Sequence, residues 1–73
     1  MNWIDIKEKL PELDKDGRSK SVLAYLGHDC FFVVHFVEKK YKWGNDIRAY
    51  QGTYPLSETI FSLITHWAKL TPP

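Results

Sequence analysis

The run Cys30 to Val37, CFFVVHFV, constrains this chain more than any other stretch. β-branched and aromatic side chains occupy almost every position and no turn residue interrupts them, a composition that fits a buried pleat. The run is expected to be the central strand of a sheet. Side chains alternate across a strand, so Phe32, Val34 and Phe36 share one face and are assigned to the core, with Phe31, Val33, His35 and Val37 on the other. His35 reads as a satisfied or half-exposed sheet histidine, with an acid–base or ligand role as the alternative. Cys30, at the start of the run, reads as a small buried hydrophobe.

The flanks supply partners for this strand. Ser21 to Leu26 alternates Val22, Ala24 and Leu26 with Leu23 and Tyr25, a first strand partly covered on both faces. Gly27-His28-Asp29 between the two runs offers a φ > 0 residue and the polar pair of a tight hairpin. Beyond Glu38 the character changes. Lys39, Lys40, Lys42 and Arg48 interleave with Tyr41, Trp43 and Tyr50, against only Glu38 and Asp46. Gly44-Asn45-Asp46 is a turn signal, so a hairpin is expected with Lys40 to Trp43 running out and Ile47 to Gln51 running back. Lysines of this kind serve as protection for a solvated edge strand. They also suit, with the aromatics, an anionic ring compound or a phosphate-bearing partner.

The two ends carry the remaining apolar residues. Trp3 through Leu10 reads as a short strand or one or two helical turns, and we favour an apolar hook that inserts Trp3 into the core before Leu10-Pro11 turns the chain away. Residues 12–20 have the composition of a solvated loop. After a second turn at Gly52-Thr53-Tyr54-Pro55, Ser57 and Glu58 resemble a helix N-terminus with Ser57 as N-cap. Ile60, Phe61, Ile64, Trp67 and Ala68 have helical spacing, but the segment also alternates as a strand would. The reading leans to a helix in the first half and an extended exit through Thr65-His66-Trp67. Trp67 is assigned to the same core as Trp3, and should hold the carboxyl end in order ahead of Pro72-Pro73.

The fold expected is one β-rich α+β domain spanning residues 1–73: an antiparallel sheet of three or four strands, since short turns join only antiparallel neighbours, with one short helix near the carboxyl end. A core of this size gives only about 3–5 kcal/mol unless large side chains fill it. The chain spends three Trp, four Tyr and four Phe on that task. Its single cysteine fits a reducing, cytoplasmic setting. Ten Lys and Arg against nine Asp and Glu argue against a general nucleic-acid binder that works by displacing counterions. No apolar run approaches the ~20 residues of a membrane span, and the amino end lacks the order of a signal peptide, so the chain is read as the mature protein.

Catalytic and metal sets are not legible. His28, His35 and His66 lack a short ligand spacing, and one cysteine cannot complete a usual zinc set. A glycine-rich phosphate loop and a nucleophile with a base at readable spacing are both missing. No cofactor is assigned.

Trp3-Ile4 leading to Leu10-Pro11-Glu12, then Val22-Leu23-Ala24-Tyr25, and finally Thr65-His66-Trp67 with Leu70 and the closing Pro72-Pro73, resemble the small phage and prophage family catalogued as domain of unknown function 551. Lys69 stands where that family often has proline, and Thr71 where it has Leu-Pro. The resemblance implies a small β-rich fold and a phage or prophage setting, hence the host cytoplasm during infection, and supplies no catalytic residue to carry over. Short accessory proteins of phages are often counter-defence factors. The function expected is accordingly non-catalytic sequestration of a nucleotide immune signal, with Lys39, Lys40, Lys42 and Arg48 for phosphate and Tyr41, Trp43 or Tyr50 for base stacking. A domain this small has little room for a pocket, so such a site would lie between subunits of a homo-oligomer. The alternatives are a protein-binding inhibitor of a host defence factor, or an interaction module without a small-molecule ligand.

Overall fold

In a computed structural model, which describes residues 2–70, the central run lies within a longer strand. The elements in chain order are β1 (Ile4–Asp5), β2 (Val22–Tyr25), β3 (Phe31–Tyr41), β4 (Gly44–Gln51), β5 (Tyr54–Pro55), α1 (Glu58–Ser62) and β6 (His66–Lys69). They form one antiparallel sheet in the order β1-β6-β2-β3-β4-β5. Six strands replace the three or four expected. The additional ones are two to four residues long, too short to display a period, and they are held by pairing rather than by their own propensity. β6 pairs with β2 on one side and β1 on the other, with Ala24 opposite Trp67 and Trp67 opposite Ile4.

The core lies on one face of the sheet. Paired residues of an antiparallel ladder share a face, so Val22, Ala24, Val34, Phe36, Ala49 and Trp67 converge there and are buried, with Ile64 from the segment after α1 and with Phe32, Ile60 and Phe61 packed against them. Helix α1 begins where the sequence suggested: the Ser57 side chain accepts the Ile60 N–H at 3.2 Å. It sets Phe61 edge-on to Phe36. The chain then leaves α1 as an extended strand. Trp67 donates its indole N–H to the Lys9 carbonyl at 2.7 Å, which fastens the last strand to the amino-terminal turn. Thr71, Pro72 and Pro73, on which the expected order of the terminus also bore, lie outside the described residues.

Trp3 does not join that core. It precedes β1 on the opposite parity from Ile4 and lies 39% exposed against Tyr25 and Phe31 on the other face. Alternation decides this, because Ile4 opposite Trp67 takes the core side. Cys30 is likewise exposed rather than buried. It closes the β2–β3 turn, where Gly27, His28 and Asp29 all have positive φ, and its backbone exchanges hydrogen bonds with Leu26 and Gly27. The β3–β4 reversal falls at Lys42-Trp43, ahead of the Gly44-Asn45-Asp46 expected, so those three residues are strand. In that register Lys39 stands opposite Asp46 and Lys40 opposite Asn45, with the Asp46 carboxylate bonded to Arg48.

The loop over residues 12–20 is more than a solvated connection. Ser19 donates its N–H to the Phe36 carbonyl and accepts the Phe36 N–H on Oγ, both at 2.8 Å, while Glu38 donates to the Gly17 carbonyl. The loop thereby continues the line of β2 alongside β3.

Candidate binding surfaces

The basic and aromatic stretch forms a hairpin arm made of the distal halves of β3 and β4. Lys39 and Tyr41 share a face with Arg48 and Tyr50, as the register requires; Lys40 points to the opposite face, and Lys42 and Trp43 form the tip. Within the arm, Tyr41 and Trp43 stack with ring centroids 4.7 Å apart and planes 4° from parallel. Trp43 remains 83% exposed. The Lys39 ammonium lies 5.5 Å from the Tyr50 ring centroid, and Tyr50 stacks on His35. Arg48 is engaged within the fold, at 2.9 Å from Asp46 and 3.1 Å from Glu58. That hydrogen bond to Glu58 and the nearby Asp46 charge hold its guanidinium above the usual arginine range. The seven residues expected to act together thus divide among two faces and a tip.

A second surface is the face of the sheet opposite the core. Asp5, His66, Tyr25 and Phe31 form one cross-strand row, and Ala68, Leu23 and Val33 the next. Trp3, Tyr25 and Phe31 form a three-ring cluster with centroids 5.2–5.8 Å apart. Phe31 is 45% exposed and Val33 49%. An antiparallel sheet with one face on the core ordinarily turns polar residues to water on the other. Here that face is aromatic and aliphatic around Phe31, with the Asp5 carboxylate at its β1 end and Lys39 and Arg48 toward the arm. The alternation in Cys30–Val37 carried the signal, since neither parity of that run is polar.

A third feature is concave. Helix α1 covers the Phe36 part of the core face, whereas residues 9–21 cross the part next to Trp67 and leave a groove of about 580 Å³. Ile4, Leu13, Val22 and Trp67 give it an apolar lining, and Lys9, Arg18, Lys20 and Lys69 stand along it with Glu12 and Asp14. No local sequence pattern marked this set, which the β2–β6 pairing assembles from both ends of the chain.

The remaining candidates stay separate. His28 is in the β2–β3 turn, His35 on β3 and His66 on β6. Among the described residues no group of three or more His, Cys, Asp or Glu side chains is placed to hold a metal ion, and no helix is long and apolar enough to cross a membrane. Comparison with protein-family models, with curated proteins and with solved structures gave no match.

Proposed function

We propose that this protein is a non-catalytic binding module that docks on another protein through the open face of its sheet. The observation that carries the reading is the half-exposed cluster of Trp3, Tyr25 and Phe31 with Val33 beside it. Contiguous apolar surface of this kind marks interaction sites, and Trp and Tyr are the residues that most often dominate binding energy. Lys39 lies farther along the same face beyond His35 and Val37, while Arg48 is neutralised by two carboxylates, so the partner suited to this face presents an apolar ridge with acidic side chains only toward Lys39. In the phage setting that the resemblance implies, that partner is a host defence factor.

A photo-crosslinking residue at position 33, compared with one at position 54 on the opposite side of the sheet, tests this in the host cell. One partner, captured from position 33 and lost when Phe31→Ser is added without a change in melting temperature, is the expected result. Crosslinking only to a second copy of the chain would replace the partner by self-association. Capture of equal yield from both positions would overturn the docking face altogether.

The sequestration of a nucleotide signal is supported by one separate observation, the exposed Tyr41–Trp43 stack with Lys39 and Lys42 beside it. A base stacked on the outer face of Trp43 would gain about 1–3 kcal/mol. Calorimetry with linear and cyclic nucleotides on the wild type and on Trp43→Ala tests it, and heat unchanged by the substitution rejects the arm as the site.

A further inference from the structure

We propose that the groove between residues 9–21 and the β2–β6 pair is a binding site for a small amphipathic anion: a carboxylate or phosphate carried on an apolar or aromatic body. This site is independent of the open sheet face, being on the core side of the sheet.

The groove has the dimensions and the lining of a ligand site. Its volume of about 580 Å³ falls in the range of small-molecule pockets, roughly 300–1,000 Å³, which are mostly apolar with a few placed polar groups. Ile4, Leu13, Val22 and Trp67 supply the apolar part. Two of the polar groups within reach are already committed, the Trp67 indole N–H to the Lys9 carbonyl and Ser19 Oγ to the Lys20 carbonyl and the Phe36 N–H, while the exposed Ser21 stands at the edge of the lining. The body of a ligand placed there would meet hydrocarbon.

The charge around it sets the sign of the head group. Lys69 faces Val22 directly in the β2–β6 ladder and Lys20 lies two residues before Val22, so both belong to one end of the groove. Lys9 and Arg18 add two more cations from the loop. Among the described residues none of these four is in an ion pair, the only ones present being those of Arg48. Two carboxylates share the lining, Glu12 and Asp14. Asp14 is turned to its own loop, where Oδ1 accepts the N–H groups of Asp16 and Arg18, and the lining as a whole sets four cations against two carboxylates. Unpaired cations beside an apolar cleft in a chain of net charge +1 suit an anion better than any neutral ligand.

Three probes separate the elements of this proposal. Decanoate and adenosine monophosphate both join an anion to an apolar or aromatic body, one through carboxylate and the other through phosphate; decanol keeps the body and removes the charge. Titrated into the full chain and followed by backbone amide NMR, decanoate or the nucleotide should shift Val22, Ser21, Trp67 and Lys69, and the tighter of the two names the head group. Lys20→Ala with Lys69→Ala should weaken that binding by roughly tenfold or more, as loss of charge-assisted contacts does, whereas Lys20→Arg with Lys69→Arg should retain it. Both lysines are exposed, and a thermal melt checks that the pair of substitutions leaves the fold intact. Decanol binding as tightly as decanoate, shifts confined to the open face or to the arm, affinity indifferent to the Ala pair, or no shift with either anion at millimolar concentration would each overturn the proposal.

Discussion

Ser19 shows how much a single side chain can fix in a domain this small. Its hydroxyl stands where a strand backbone would otherwise pair with Phe36, accepting the Phe36 N–H in a buried setting while donating to the Lys20 carbonyl. Ser19→Ala removes the acceptor and leaves a buried N–H unsatisfied, and the expected cost is about 1–3 kcal/mol, read as a lower denaturation midpoint with an unchanged slope. The two tryptophans of the chain ends make a paired prediction. Trp67 is 2% exposed and hydrogen-bonded, so Trp67→Ala should cost about 3–5 kcal/mol, while Trp3→Ala should cost far less because the ring covers other half-exposed rings and fills no cavity. Equal losses in chemical denaturation would return Trp3 to the core. The sequence showed both residues as large and apolar. It did not show their separation onto two faces, which depends on Ile4 pairing with Trp67, a contact made across nearly the whole chain.

At the scale of elements, those with a strong local signal were legible. The alternation of β2, the unbroken run in β3 and the Ser57 cap of α1 rest on neighbours in sequence, and each lies within a residue or two of its expected place apart from the extension of β3 to Tyr41. Ser57→Ala should therefore cost about 1 kcal/mol, measurable as a drop in melting temperature. The arm was harder to place because Gly44-Asn45-Asp46 is a turn signal that cross-strand pairing overrides. Lys42 and Trp43 make the reversal with ordinary negative φ, and Gly44 completes it at φ 137°, a conformation that only glycine adopts at little cost. Gly44→Ala should destabilise by about 1–3 kcal/mol and separate Tyr41 from Trp43, visible as a change in near-ultraviolet circular dichroism. A variant with wild-type stability would place the reversal elsewhere. The candidate site was legible in part for the same reason: composition pointed to the arm, but the share of its residues on each face followed from a reversal centred two to three residues before the place that local signals gave it.

For the whole molecule, the feature that sequence patterns could not convey is the insertion of the last strand between the first two. β1 and β6 pair although Ile4 and Trp67 lie roughly sixty residues apart, and closing a loop of that length costs conformational entropy that grows with the logarithm of its size. The same pairing sets residues 4 and 5 beside residues 67 and 66, since β1 runs antiparallel to β6. The groove and the open face both depend on it: β6 supplies Trp67 and Lys69 to the first and His66 and Ala68 to the second. A circular permutant tests this arrangement directly. Joining residue 73 to residue 1 through a short glycine-serine linker and opening the chain between Lys15 and Asp16, both exposed, leaves the order of β2 through β6 untouched and turns β6 and β1 into a local hairpin. Shortening that closure from about sixty residues to about a dozen is worth roughly 1.5 kcal/mol by the logarithmic rule. The permutant should unfold cooperatively, lose some stability where the Asp14 hydrogen bonds to Asp16 and Gly17 are cut, and refold up to about tenfold faster if the β1–β6 pair forms in the transition state. A permutant that fails to fold with linkers of any length would mean that β1 and β6 do not pair, and would remove β1 from the sheet and both surfaces with it.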